Sequence, residues 1–422
     1  MKVQRNENEA LYTRILREEL QMALGCTEPV TIAFASAYAR KLLGTMPDRI
    51  EALCSGNIIK NVKAVTVPET DGRKGIEAAV LIGAIGGNPE KGMKVLEDIT
   101  EADRRMLDIL YQKNIVSVKL LDTEHVLHVV IHAFSGENNV SVEILDSHTE
   151  LGEVVVNGKV FHQRQRKQDE EISREFMNVR DIVSYADHVP LDQVRDVLEA
   201  QIECNTKIAE EGMKNRWGSE VGKRTEGLNF FPFSEICSGA SAGSDARMNG
   251  CPLPVVINSG SGNQGITASV PVILYAREKG IEEERILRAL CVSNLITIHQ
   301  KTGIGKLSAF CGVVSAAAGA VCGIAYLNGE TVETILEIIV NSTATCGGMI
   351  CDGAKSSCAA KIATALYSAF LGYELAKNKT SFRAGEGIVA DDAEQTIANI
   401  GRVASKGMRS TDREILEIML GQ

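Results

Sequence analysis

From about residue 170 onward the hydrophobic pattern of this chain is helical almost without interruption, whereas much of the stretch before it alternates. A period of 3.6 buries one face of a helix and a period of two buries one face of a strand, so this switch separates two kinds of core. Residues 7–24 read as an amphipathic helix with Leu11, Ile15, Leu20 and Ala23 inward, ending at Gly25. A second helix starts at Thr27 as N-cap, with Pro29 in its first turn, and runs through Val30 to Leu43. Asn61–Pro68 reads as strand-like, followed by helices over Gly75–Ile85, Glu90–Ile99 and Glu101–Gln112. Strands are expected at Val116–Leu121, Val126–Phe134, Asn139–Leu145 and Gly152–Phe161, with turn signals at Gly136–Asn139 and Asn157-Gly158. The charged run Gln163–Glu171 reads as a linker, and the helices beyond it include Glu282–Lys301, Leu307–Leu327, Val332–Asn341 and Ala359–Ala376.

The expected fold class is therefore α+β: a mostly helical domain with an inserted α/β sandwich-like domain carrying an antiparallel-rich sheet. At 422 residues the chain is long for one domain. The expected division is 1–57, N-terminal helices packing with the helical domain; 58–165, the α+β domain; and 166–422, the helical domain that carries most of the cysteines. Only 5% of residues are aromatic while 38 are glycine, so the core must be Ala, Val, Ile and Leu with close backbone approaches. The formal charge of −10 and the absence of a basic stripe argue against nucleic acid. Met1–Ala10 is polar and acidic, unlike a signal or transit peptide. Leu307–Gly329 lacks charge, but its Ala, Gly, Ser and Cys content fits a buried close-packed helix better than a membrane span. The 11 cysteines without a secretion signal point to a reducing, cytoplasmic location.

Four constellations carry chemistry. Cys311, Cys351 and Cys358 supply three thiolates, enough to hold a 4Fe–4S cluster by three corners and leave one iron open as a Lewis acid. Glycines at 347, 348 and 353 permit close approach, and Cys358 opens a long helix whose N-terminus favours an anionic group. The spacing matches neither a zinc pair nor a ferredoxin run; these thiols also read as buried core cysteines, with Cys322 and Cys346 as rival ligands. Cys26, in Gly25-Cys26-Thr27-Glu28-Pro29, stands at a helix start, where a thiol pKa falls; it reads as a general base or nucleophile, or as a packing residue. Ser259-Gly260-Ser261-Gly262-Asn263-Gln264-Gly265 follows an apolar strand and precedes a helix, an arrangement able to bind a carboxylate or phosphate, or a plain tight turn. It is neither a P-loop nor a dinucleotide fingerprint. In His299–Lys306, Lys301 reads either as the partner of a substrate carboxylate or as a solvated lysine at a helix end. His125, His128 and His132 read as structural.

Taken together these motifs resemble the L-cysteine desulfidase family, related to the iron–sulfur L-serine dehydratases, over nearly the whole chain. Gly25–Pro29 matches that family's N-terminal motif, and Cys351-Asp352-Gly353 through Cys358 its C-terminal one. Ser259–Gly265 is similar to the Thr-Asn-Gly-Ala-Ala-Gly loop of the serine dehydratases, and Phe310-Cys311-Gly312 stands where they carry Gly-Cys-Gln. The resemblance implies a 4Fe–4S cluster on Cys311, Cys351 and Cys358, Cys26 as catalytic base, and no pyridoxal phosphate. It implies conversion of L-cysteine to pyruvate, ammonia and sulfide; on the reading of the residues themselves, the substrate carboxylate would dock on Ser259, Gly260, Ser261, Gly262, Asn263, Gln264 and Lys301. Two departures stand out: the last cysteine spacing is shorter than in the serine dehydratases, and the chain ends in Gly421-Gln422 rather than in a cysteine that reaches the cluster. The open iron is then left to water or to Cys26. The alternatives are the same machinery acting on serine or another β-substituted amino acid, and a non-enzymatic iron–sulfur or zinc redox protein. The implied partner is a small amino-acid substrate, without nucleic acid or membrane; homo-oligomerisation is left open.

Overall fold

The computed structural model describes residues 2–164, 172–227, 233–305 and 307–421, with side chains from residue 8 onward. The part of the expected linker from 165 to 171, and Lys306, lie outside the described residues. The fold is α+β, as the patterning implies.

Two sheets are present among the described residues. The small one pairs β1 (Met22–Leu24) antiparallel with β8 (Pro254–Val256). The large one comprises β2 (Arg49–Cys54), β3 (Val116–Leu120), β4 (His128–Ser135), β5 (Asn138–Leu145), β6 (Leu151–Val156) and β7 (Lys159–Gln163), in the order β3-β2-β4-β5-β6-β7. Only the β2–β3 pair is parallel. Ile50, Ala52 and Cys54 of β2, Val129, Ile131 and Ala133 of β4, and Val140, Val142 and Ile144 of β5 point to one buried face. Each such Val or Ile contributes roughly 1.5–3 kcal/mol by leaving water. The strand expected at Asn61–Pro68 is instead the end of the helix Gly56–Val62 and a turn, and the large sheet starts in the chain with β2, which patterning does not single out. The segment Gly152–Phe161 is two strands folded at Asn157-Gly158, where both residues take positive φ.

The N-terminal residues do not act as one unit. Tyr12, Ile15 and Leu16 of the helix Lys2–Glu19, with Leu20 just after it, enter the helical core, but Val30, Ile32, Ala33 and Ala37 of the helix Thr27–Leu43 enter the core of the large sheet. There that helix crosses the helix Gly75–Gly86 so closely that a Cβ on Gly83 would lie 2.3 Å from the Ala33 carbonyl oxygen. Small residues at the crossing, together with a helix whose first half is buried on every side, choose this partner. From this packing we propose that the sheet unit begins with Thr27–Leu43.

In the helical body the uncharged helix runs Val313–Leu327 and lies against Glu283–Ile304, where a Cβ on Gly319 would meet Thr297 Oγ1 at 2.4 Å. It starts six residues later than patterning suggested, and this leaves Cys311 in the turn before it. No helix among the described residues is long and apolar enough to cross a membrane. The C-terminal helix Arg409–Leu420 returns to the sheet side, where Asp412 pairs with the buried Lys60 of Gly56–Val62.

Candidate active site

The β1–β8 ladder, extended by the Ile257 N–H donating to the Gln21 carbonyl at 2.8 Å, sets two turns side by side. One is Gly25-Cys26. Gly25 has φ +70, and a Cβ there would lie 2.1 Å from Pro68 Cγ, so only glycine can turn the chain into the helix behind it. Cys26 is the N-cap of that helix without capping it through its side chain. The other turn is the glycine loop, where Ser259 and Gly260 take φ of 49 and 76 before the helix Gly262–Glu278 begins. Thr27 Oγ1 donates to the Gly260 carbonyl at 3.1 Å and joins the turns.

A second pairing assembles the thiols. Phe310 and Ile350 form an antiparallel bridge; the Cys311 N–H donates to the Met349 carbonyl at 2.9 Å and the Cys351 N–H to the Ala309 carbonyl at 2.5 Å. This register sets Cys311 and Cys351 side by side. Cys358 opens the helix Cys358–Lys377, its Sγ 3.8 Å from the Gly353 carbonyl. Gly353, at φ +92, lies so close to the helix Gly56–Val62 that a Cβ would be 2.2 Å from the Lys60 carbonyl.

Cys26, Cys311, Cys351 and Cys358 all line one cavity of about 100 Å³. Gly260, Ser261, Asn263, Gln264 and Lys301 line it too. Ser259 faces the adjoining groove, which Gly260 and Lys301 also border, and Gly262 supports the site from behind. The rival cysteines stand elsewhere: Cys322 is fully buried in the helical core, and Cys346 packs beside Ile304 and Phe310. Among the described residues no three His, Cys, Asp or Glu side chains gather tightly enough for a single metal ion. A four-iron cluster makes a different demand, because each thiolate binds a separate iron. His128 and His125 are occupied by Glu143 and Asp146, away from the cavity.

The electrostatics correct one expectation. Cys26 is not a ready thiolate: burial pushes its pKa well above the ordinary thiol value, the Glu28 carboxylate adds to that, and Arg247 opposes it only in part. Its Sγ donates to Glu28 Oε2 at 3.1 Å. Of the neighbouring pair, Cys351 is the thiol that ionises more readily, because Cys311 donates to it and Lys60 and Lys361 lie near; the Cys311 pKa is raised. Burial raises the Cys358 pKa. Lys301 is 5% exposed, not solvated, and burial draws its pKa down to about 8 against the pull of Cys351 and Cys311. Burial works against the Asp352 charge, but Lys355 and Lys361 hold its pKa down to about 2 and so tether the cysteine loop.

Among the lining residues missed as site residues are three with chemistry to offer, Arg247, Glu28 and Asn61. Asn61 Nδ2 donates to Glu28 Oε1 at 3.1 Å. Arg247 lies near the end of a helix of mostly small residues, Ser234–Met248, and is the one basic residue in it.

The sequence profile of the serine dehydratase alpha chain matches residues 90–417. The chain belongs to the serine dehydratase alpha chain family. It is 47% identical to a UPF0597 protein of Finegoldia magna over 412 residues, covering 97% of this chain and 99% of that one. It is 46% identical to a UPF0597 protein of Treponema denticola over 420 residues, covering 97% of each. With a UPF0597 protein of Fusobacterium nucleatum it shares 41% over 416 residues, 96% of this chain and 97% of that one. The serine dehydratase part of the expected resemblance therefore stands, and this family implies a lyase-type enzyme. The glycine loop, Arg247, Lys301 and the three clustered cysteines lie inside the matched span; Cys26 and Glu28 precede it.

Proposed function

We propose that this serine dehydratase alpha chain relative is a cysteine lyase, converting L-cysteine and water to pyruvate, ammonia and sulfide, with a 4Fe–4S cluster on Cys311, Cys351 and Cys358. The observation that carries the reading is the convergence of these three thiols with Cys26 and a helix N-terminus on one cavity. The donor set suits the cluster: thiolates are its usual ligands, and Lys301 and Lys361 balance their charge. When bound, such a cluster supplies an iron without a cysteine ligand, a Lewis acid for the leaving sulfur.

The chain's own residues do the rest. The first N–H groups of Gly262–Glu278, which have no partner within the helix, take the substrate carboxylate. Cys26 removes the α-proton as general base. Because its pKa is raised, Cys26 first gives its own proton to Glu28 Oε2, the acceptor already bonded to it. Sulfide leaves from Cβ, and the enamine that remains tautomerises and hydrolyses to pyruvate and ammonia. Leu307, Phe310, Val313 and Ala354 make part of the lining apolar, which suits a thiol better than a hydroxyl. No pyridoxal phosphate is required.

A second reading, deamination of serine by the same machinery, is favoured by the family description. The test is anaerobic purification with iron and sulfide analysis, then a pyruvate assay over L-cysteine, L-serine and other β-substituted amino acids. Four irons per chain and pyruvate from L-cysteine above all others support the proposal. Pyruvate mainly from L-serine selects the second reading. A colourless protein with stoichiometric zinc and no turnover would overturn both in favour of a binding protein.

A further inference from the structure

Two cations border the cavity, and they do not stand in the same place. Lys301 lies within electrostatic reach of Cys351 and Cys311, and Arg247 within reach of Cys26. Arg247 is 2% exposed. Its Nε donates to the Gly25 carbonyl and its Nη1 to Asn263 Oδ1, each at 3.1 Å, so the guanidinium spans the two turns that the β1–β8 ladder sets side by side. It has no carboxylate within ion-pair distance among the described residues, and its Nη2 makes no hydrogen bond to them. Gly262 is part of this arrangement, since a Cβ there would fall 2.3 Å from Arg247 Nε.

A buried guanidinium without an anion is costly unless something charged joins it. A second, independent vacancy lies on the same cavity. Gln264 is 5% exposed, lines the cavity, and its buried Oε1 has no hydrogen-bond partner among the described residues. Unpaired polar groups of this kind inside a small cavity are what a polar ligand would satisfy.

We propose that Arg247 anchors the α-carboxylate of the amino-acid substrate, bridging it to the N-terminus of Gly262–Glu278, while Lys301 serves the thiolates instead. The planar fork of an arginine matches a carboxylate in two hydrogen bonds, which a lysine cannot do. This rests on the amino-acid lyase reading and adds to it the residue that selects for the carboxylate. It also reassigns Lys301, which the sequence suggested for that task.

The experiment measures equilibrium binding by calorimetry on the metal-free protein, so that it does not depend on turnover. The ligands are L-alanine, which has no leaving group, and ethylamine, which lacks only the carboxylate. The wild type is expected to bind L-alanine more tightly than ethylamine by about thirtyfold or more, the scale of losing one partner of a buried charge pair. Arg247→Gln removes that preference, Arg247→Lys restores part of it, and Lys301→Gln keeps it. On the iron-loaded protein, Arg247→Gln raises KM for L-cysteine more than it lowers kcat and leaves iron content unchanged. The inference is overturned if the wild type binds ethylamine as tightly as L-alanine, or if Lys301→Gln rather than Arg247→Gln abolishes the preference. Should Arg247→Gln fail to fold, the wild-type ligand pair and Arg247→Lys still decide. If the Arg247-dependent preference holds but the protein takes up no iron, the carboxylate anchor stands and the iron–sulfur lyase reading falls. If iron and lyase activity are present and the variants bind both ligands like the wild type, the anchor falls alone.

Discussion

Replacing Gly353 by alanine tests how tightly the cysteine loop is pressed against the sheet side of the molecule. Gly353 sits at φ +92, and an added Cβ would lie 2.2 Å from the Lys60 carbonyl oxygen and 3.0 Å from its carbon. The left-handed conformation alone costs an alanine about 1–2 kcal/mol. Ordinary contact begins near 3.4 Å, so loop and helix must separate by about 1 Å. Forcing atoms into a packed interior costs a further 1–3 kcal/mol or so. The sum, roughly 2–5 kcal/mol, is a large part of a typical domain's stability but need not exceed it. The backbone opposite belongs to Lys60, which Asp412 and the C-terminal helix hold in place, so the cysteine loop is expected to give way first. That loop carries Cys351 and Cys358 on either side of the glycine. Gly353→Ala should therefore lower the urea midpoint and the iron retained after anaerobic reconstitution together. Gly348→Ala is the control: nothing lies within 4 Å of its Cβ position, and its φ is not positive. A Gly353→Ala protein with the stability and iron content of the Gly348→Ala control would refute the argument.

Four shorter predictions follow from the same geometry. Alanine at Cys311, Cys351 or Cys358 should each remove most of the visible absorbance of the anaerobic protein, whereas Cys322→Ala should not; full iron content in any of the three single variants would reject that residue as a ligand. Cys26→Ser should keep the iron and lose roughly a hundredfold or more in turnover, the scale of a general base; loss of iron would make Cys26 a ligand instead. Asp412→Asn should cost about 3 kcal/mol or more because it strands the ammonium of Lys60, which is 2% exposed, while Lys60→Met should cost less because Asp412, 22% exposed, can reach water; urea unfolding of the pair decides, and equal losses would contradict it. Burial raises the Asp245 pKa from 3.8 to about 6, so its contribution to stability is present below the lower value and is lost as pH rises through the upper. Asp245→Asn should gain stability relative to wild type between those two pH values, and parallel pH profiles of the urea midpoint would show that the carboxyl does not titrate this way.

The lone thiol at a helix start, the glycine loop between strand and helix, and the trio of cysteines were legible in the sequence because each is a local pattern. So was the α+β class, since the period of the apolar residues records which face each element buries. Strand β2 was not, although Ile50, Ala52 and Cys54 alternate with Arg49, Glu51 and Leu53; six residues are a short signal, and their partners β3 and β4 lie far along the chain. The partner of the helix Thr27–Leu43 was also hidden, because a helix buried on nearly every side carries no stripe that points toward one neighbour.

At the site the division is sharper. Sequence alone determined which side chains with reactive chemistry the molecule owns, and roughly where helices and strands present them. Tertiary structure decided which of those side chains meet and in what charge state. The pairing of Ala309–Cys311 with Met349–Cys351 chose Cys311 over Cys322 and Cys346 for the cavity, through backbone hydrogen bonds between segments some forty residues apart. The Cys26 thiol was expected to ionise easily at a helix N-terminus, yet burial and the carboxylate of Glu28 drive its pKa upward. Arg247 turns inward at the end of a small-residue helix, where the carbonyl of Gly25 and the amide of Asn263 hold it. Desolvation and the distances between charges are sums over neighbours brought from every part of the chain, so no local pattern in the sequence can state them.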